Sequence, residues 1–532
     1  MSGLHSPPVT IRRDRLSIGV FYAIAWGALL VNRGLYWDDW TLWGVDPAAV
    51  ISGYTEIGLP WGGYVYAAIF ATPLPGLVSH VLVFGAYLLS TLLLHAILGR
   101  IPGLTRMDAL VAALTFAVLP VNFARIAVID LMYGFSLLAF IAATWFLVRY
   151  LEVGGLVRRL AALVLFLASF YTASLLVLYV VPMVVGALVV RRSGRVSVRA
   201  LVGRHLDFIA LPVGYWLVKG AFLAPSGVYE GYNQLTAAGI ARVPGALPAI
   251  PWQVIAEPLV RALSVAGVVG IAAGSVVAVW LVRRRGLPEP AGGAAPAVRV
   301  APAIALALAG VVVLGLGVFS YLAVGRVPTI WDWSSRHQLL VPIGVGLLAA
   351  ALARGVPWVG AVGRASGVAV IGLLLGISTV ADVRTLVTYQ ADWFKQVAIV
   401  EAARDLPALR TARHVQVVDD ATALNTLRRT YRFYELNALL EMALGDTRRL
   451  ASLEASEPTG DDLALFIGRP AYHMGEYVPS PVDLELRLSA RGGVPDPWHV
   501  LRLVALEAIG APDFASEAAR LIEVEATPVG GP

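Results

Sequence analysis

The stretch Gly76-Leu-Val-Ser-His-Val-Leu-Val-Phe-Gly-Ala-Tyr-Leu-Leu-Ser-Thr-Leu-Leu-Leu-His-Ala-Ile-Leu98 contains no Asp, Glu, Lys or Arg. A helix of this length crosses the roughly 30 Å hydrocarbon core of a bilayer, for which about 20 apolar residues suffice. The pattern recurs outward in both directions, at 16–32, 108–124, 128–148, 159–173, 174–190, 207–224, 259–282, 301–324, 338–353 and 366–382, giving eleven segments in all. Chain-wide composition agrees: 58% hydrophobic, 14% charged and a mean hydropathy of +0.73 lie far outside the soluble range. The expected fold is therefore an α-helical polytopic membrane protein with about 11 transmembrane helices. Arg12, Arg13 and Arg15 ahead of the first apolar run give it the look of a signal sequence, but the many later segments favour an uncleaved anchor.

Charge divides the chain in two. Residues 1–383 hold 26 Arg and Lys against 14 Asp and Glu, whereas residues 384–532 hold 15 against 21, recovering the 41 and 35 of the whole sequence. The pI of about 9.5 thus reflects membrane topology and gives no reason to expect nucleic acid as a partner. Alternate loops carry unequal shares of the 26: nineteen fall in the set that includes Arg12, Arg100, Arg158, Arg191 and Arg283, and seven in the set made of Arg33, Arg125, Lys219, Arg242, Arg261, Arg326 and Arg336. Cytoplasmic loops are enriched in Arg and Lys, so the amino terminus is expected in the cytoplasm and, after eleven spans, the acidic tail outside. All but Lys219 and Lys395 of the basic residues are Arg; with heavy Ala, Val, Gly and Leu usage this suggests a GC-rich bacterial genome, and hence a bacterial cytoplasmic (inner) membrane.

Residues 384–532 read as a soluble domain of α/β or α+β type, following a transmembrane domain at 1–383. A helix is predicted over 389–405, a strand at His414-Val-Gln-Val-Val-Asp-Asp420, an amphipathic helix over Leu424 to Leu444, and strands at Val482-Asp-Leu-Glu-Leu-Arg-Leu488 and Ile522-Glu-Val-Glu-Ala526. Asp419-Asp420 fits a strand-end turn better than a site. Two long outer loops, 33–75 and 225–258, are rich in aromatics and proline. In the first, segments at 46–54 and 62–70 are too short to span and apolar enough to lie along the interface. Arg283 to Arg299 reads as a flexible Pro/Gly/Ala tether.

Zero cysteines exclude disulfides, thiol catalysis and Cys-ligated metal centres. No Gly-rich phosphate loop follows a strand, so nucleotide chemistry has no support. The most suggestive segment is Asn32-Arg-Gly-Leu-Tyr-Trp-Asp-Asp-Trp-Thr41, just beyond the first span. Asp38 and Asp39 sit between Trp37 and Trp40 at headgroup depth, either as an aromatic belt with two solvated acids or as a site for a substrate whose other half lies in lipid. Crowded carboxylates beside an apolar boundary raise the pKa of one partner, which suits a general base.

Four features together resemble the GT-C superfamily of polytopic glycosyltransferases: this acidic pair with the short helices after it, the outer turn Arg125-Ile-Ala-Val-Ile-Asp130, Ser335-Arg-His-Gln-Leu-Leu-Val-Pro342 at an outer boundary, and the soluble tail. The resemblance implies inverting transfer of a sugar from a polyprenyl-phosphate-linked donor to an acceptor hydroxyl on an envelope glycan, lipid or protein. One of Asp38 and Asp39, Asp39 first, would serve as base. The Trp-Trp-Asp-type signature of oligosaccharyltransferases is missing from the tail, which argues against asparagine-linked protein glycosylation.

A lipid phosphate leaving group calls for fixed cations, and Arg336 with His337, Arg326 and Lys219 are the candidates. Lys219 falls within a span and either snorkels to the surface or faces a cavity. Arg125 and Asp130 are candidates for assisting acceptor or metal binding, or for capping spans. Glu230 and Tyr232, in Tyr229-Glu-Gly-Tyr-Asn233, are candidates for sugar contact, or belong to an ordinary polar loop. Mg²⁺ or Mn²⁺ on Asp38, Asp39 and Asp130 is chemically compatible but not demanded. His80 and His95 read as packing residues. The rival classes are a transporter or lipid flippase, and a noncatalytic envelope assembly protein.

Overall fold

The computed structural model describes residues 8–193, 203, 205–231, 235–285, 297–354, 360–492 and 496–529. Among these, seven helices are long and apolar enough to cross a membrane, or eight if the bent pair Asp332–Gln338 and Val341–Ala353, meeting at 60°, is one span. Arg106–Val118, Leu156–Ser169 and Leu206–Phe222 are helical too but shorter. Most of the tether at 283–299 lies outside the described residues.

Local chemistry sets the helix ends. Pro47, Pro60 and Pro75 open their helices at the first turn, where a missing N–H costs nothing. The first two of these helices, Pro47–Glu56 and Pro60–Phe70, are the short segments expected in the first long loop. Gly154 and Gly155, with φ of 69° and 104°, turn the chain back between Leu131–Val153 and Leu156–Ser169. On the side of the bundle away from that loop, the buried Asp14 carboxylate joins three helices through Arg106 at 2.5 Å and Arg284 at 2.8 Å. Asp108 and Arg354 pair nearby.

The last long helix, Gly360–Asp405, runs unbroken across position 383, where composition places the edge of the membrane domain. Beyond it, strands β1 (His414–Asp419), β2 (Leu450–Ser452), β3 (Leu484–Ala490) and β4 (Ile522–Pro528) form a sheet in the order β2-β1-β3-β4. β1 is parallel to both β2 and β3, and β3 is antiparallel to β4. Val415 and Val417 pair in register with Leu484 and Leu486, and all four are buried, as period-two alternation requires. The helix expected over 424–444 begins only at Phe433. Leu427 and Arg428 have φ of 54° and 59°, a left-handed conformation that interrupts any helix and turns the chain so that Arg429 points inward.

Polar groups join the tail to this helix. Lys395 is buried and donates to both carboxylate oxygens of Asp419 at 2.6 and 2.8 Å, to Asn425 Oδ1 at 2.7 Å and to the Ala421 carbonyl at 3.2 Å. Asp419 is thereby a structural partner, in keeping with a strand-end role. Arg429 is fully buried between Asp392, at 2.6 Å, and Glu435. Burial pushes Glu435 up to about 7 against the opposing pull of Arg429. Removing the guanidinium in Arg429→Met strands two buried carboxylates, so a loss of about 3–5 kcal/mol is expected. Thermal unfolding in detergent, with protease sensitivity of the tail, measures it; an unchanged midpoint would refute the assignment.

Candidate functional site

The segment Trp37–Thr41 folds as a 3-10 turn. With about three residues per turn, successive side chains diverge by about 120°, so two adjacent acids cannot share an environment. Asp39 turns inward and is 0% exposed. Its Oδ2 accepts the backbone N–H groups of Tyr36 and Val128 at 2.9 and 3.0 Å, and its Oδ1 accepts that of Ile129 at 2.8 Å. Burial pushes its pKa up to about 7, with the three N–H donors pulling the other way. Asp38 turns outward into a cavity of about 1390 Å³. Tyr434 Oη donates to its Oδ1 at 2.5 Å, and among the described residues no other hydrogen bond reaches its carboxylate.

The turn is held from three directions. Tyr36 Oη donates to the Tyr389 carbonyl at 2.8 Å, and Trp40 Nε1 to Gln396 Oε1 at 3.0 Å, both on the Gly360–Asp405 helix. From the tail, Glu435 Oε2 accepts the Trp37 N–H at 3.1 Å, and His473 Nε2 lies 2.6 Å from the Trp40 carbonyl. From the bend before the Val341–Ala353 helix, Asp332 Oδ1 accepts Trp37 Nε1 at 2.6 Å. Trp37 and Asp332 both have left-handed backbones, with φ of 52° and 47°. Each costs on the order of 1–3 kcal/mol and persists only where surrounding contacts over-determine it. Here the two strained residues fix each other, and the aspartate that follows Trp37 is the one facing the cavity.

Six of the residues singled out in the sequence line this one cavity: Asp38, Asp130, Lys219, Arg326, Arg336 and His337. Asp130 Oδ1 is buried and has no hydrogen-bond partner among the described residues, and its carboxylate interacts electrostatically with Arg336, Asp39 and Asp38. Arg336 packs over the Trp333 ring at 4.2 Å, with its Nε 3.4 Å from His337 Nε2. Lys219 has no carboxylate within ion-pair distance among the described residues.

The other candidates lie elsewhere. Arg125 is buried behind the site, 3.5 Å over the Trp26 ring and 4.4 Å over Tyr87, with its Nε donating to the Asn122 carbonyl at 2.8 Å; it is a packing cation. Glu230 is exposed and off the cavity wall, while its neighbour Tyr229 lines it. Tyr232 falls outside the described residues. Asp39, with three backbone bonds, is not placed to hold a metal alongside Asp38 and Asp130. Among the described residues no group of three or more His, Asp or Glu gathers for a metal ion. His80 bridges the Asn32 and Ile126 carbonyls at 2.8 and 2.5 Å, a buried structural link between the first loop and the outer turn.

The tail contributes groups that sequence reading missed. Tyr434, Arg469 and Tyr472 line the cavity, and Arg469 pairs with Glu56 of the first loop at 3.2 Å. The only trace of this in sequence is the aromatic and basic run Arg428-Arg-Thr-Tyr-Arg-Phe-Tyr-Glu435. Burial, with the Asp38 and Glu435 carboxylates nearby, holds the Tyr434 phenol well above its ordinary pKa, so it stays a donor. Comparison with family models, curated proteins and solved structures finds no match to this chain.

The two acids are expected to separate in a stability experiment. Asp39→Asn places an amide among three backbone donors and is expected to cost about 1–3 kcal/mol, whereas Asp38→Asn stays within about 0.5 kcal/mol of wild type. Folded Asp39 keeps its proton up to about pH 7, while an unfolded Asp releases it near 4. It therefore makes the fold progressively less stable as pH climbs through that window. Thermal midpoints from pH 4 to 8 are expected to show a slope that Asp39→Asn flattens. A slope unchanged in that variant would disprove the assignment.

Proposed function

We propose that this chain is an integral-membrane glycosyltransferase of GT-C type that moves a sugar from a polyprenyl-phosphate-linked donor to an acceptor hydroxyl. The observation that carries the reading is a single large cavity holding both an outward carboxylate, Asp38, and four basic side chains, Lys219, Arg326, Arg336 and His337. Helices occupy all eleven apolar segments, seven of them long enough to cross a membrane and the bent pair an eighth, and this reading takes the three shorter ones as spans too. The nineteen-to-seven asymmetry in Arg and Lys supports a cytoplasmic amino terminus and an extracytoplasmic tail in a bacterial cytoplasmic membrane. The mixed charge of the cavity lining suits a substrate that carries both a phosphate and hydroxyls.

In this reading the acceptor hydroxyl lies against the open oxygen of Asp38. Asp38 takes the hydroxyl proton as the acceptor oxygen attacks the anomeric carbon. The bond from that carbon to the phosphate oxygen breaks on the opposite face, so the configuration inverts. Charge growing on the departing polyprenyl phosphate falls to Arg336, Arg326 and Lys219, with arginine suited to gripping phosphate oxygens in pairs. This geometry replaces Asp39 by Asp38 as the preferred base, because the Asp39 oxygens are already committed to Tyr36, Val128 and Ile129.

The test is transfer of radiolabelled sugar from a panel of polyprenyl-phosphate donors into envelope material by purified protein in proteoliposomes. Asp38→Asn is expected to lower turnover by about 100-fold or more while leaving donor binding intact. Tyr434→Phe, which frees the Asp38 carboxylate to rotate, is expected to lower kcat by roughly 10- to 100-fold with little change in KM. Lys219→Met and Arg336→Met are expected to raise KM for the donor. If wild type consumes no donor yet moves labelled lipid phosphate between leaflets, the cavity serves translocation and the enzyme reading fails.

A further inference from the structure

The Pro497–Ala508 helix of the tail has two unlike faces. Val500, Leu503 and Glu507 are buried against the Gly360–Asp405 helix, where Trp393 Nε1 donates to Glu507 at 2.8 Å. The other face carries Trp498, 76% exposed, Leu501, 47% exposed, and Ile509 just past the helix end, 77% exposed, together with exposed Ala505 and Ala508. Three- and four-residue steps align these on one stripe. At the edge of the stripe stands Arg502, 3.7 Å from Glu517. No described segment of this chain covers the stripe.

We infer that this stripe rests on the bilayer, inserted among the phospholipid headgroups on the side from which the first loop emerges. The height of the helix end is fixed by Arg33, whose Nη2 donates to the Ala508 carbonyl at 3.4 Å. Arg33 lies two residues beyond the membrane-crossing stretch Ile11–Val31, so Ala508 and Ile509 sit where that span leaves the hydrocarbon. At the end of that span Leu30 and Val31 are exposed as well, 39% and 46%, apolar side chains at the same level of the chain as the Arg33 contact. Trp, Leu and Ile on one face with Arg at its margin is the composition of a helix lying in the interface, the guanidinium meeting phosphate while the apolar side chains sink about 5–10 Å. Arg33 and Arg502 supply that positive margin. The tail is thereby steadied on the same surface that a lipid substrate would leave.

The chain has no cysteine, so single thiols report unambiguously. Trp498→Cys, Leu501→Cys and Ile509→Cys, with Glu523→Cys on exposed β4 as control, are each labelled with an environment-sensitive nitrobenzoxadiazole probe. The full-length protein is then reconstituted in phosphatidylethanolamine–phosphatidylglycerol vesicles with and without 5-doxyl phosphatidylcholine. Blue-shifted emission that doxyl lipid quenches at all three stripe positions, and not at 523, is the expected result. Emission at any stripe position matching the control overturns the inference. So does a blue shift that doxyl lipid leaves unquenched, because the stripe then packs on protein, such as a second copy. All four positions are exposed, and an unchanged thermal midpoint in each variant verifies the fold.

Discussion

Three backbone N–H groups from two separate loops converge on the one buried carboxylate of Asp39, and the outer half of the molecule is organised around that convergence. Tyr36 comes from the first loop, and Val128 and Ile129 from the turn before the Leu131–Val153 helix. Two irregular segments that lack regular secondary structure to satisfy their amides are thus closed onto each other. The geometry of a 3-10 turn does the rest, since fixing Asp39 inward sends Asp38 outward. One acid of the pair holds the site together, and that leaves the other facing the cavity.

The tail acts on the same turn from the opposite side. Glu435 holds the Trp37 amide, Tyr434 holds the Asp38 carboxylate and His473 meets the Trp40 carbonyl. Buried Arg429 bridges Glu435 and Asp392, so the contact between tail and membrane helix is both charged and buried. Such a joint does not slide, because any shift that separates its members strands a charge away from water. The left-handed backbones of Trp37 and Asp332 are sustained by this rigidity.

The membrane helices were legible because apolar runs of bilayer length leave few alternatives, and the pairs of strands in the tail because their alternation has one reading. Asp38 and Asp39 stood out as a pair, yet sequence reading leaned toward Asp39. Adjacent identical residues carry no signal of which one turns inward; only the Val128 and Ile129 amides, some ninety positions away, decide it. Arg125 was placed with the site because it shares an outer turn with Asp130, but turn membership does not reveal that its side chain goes back over Trp26. Tyr434 was invisible for a different reason. In sequence it is an ordinary aromatic in the first turn of an amphipathic helix, and its partner lies 396 positions earlier. The helix expected from 424 lost its first two turns to left-handed Leu427 and Arg428, a conformation that neither residue type advertises.

The 398 positions between Trp37 and Glu435 also order events in the life of the chain. The first loop is made early in synthesis, and the Asp39 bracket can close once the turn at Val128 follows. The Trp37 amide, the Asp38 carboxylate and the Trp40 carbonyl wait for residues made near the end of translation. A ribosome that stops before Tyr434 leaves in the membrane a bundle whose aspartates are present and whose cavity wall lacks Tyr434, Arg469 and Tyr472. Assembly of the cavity is thus coupled to completion of the polypeptide.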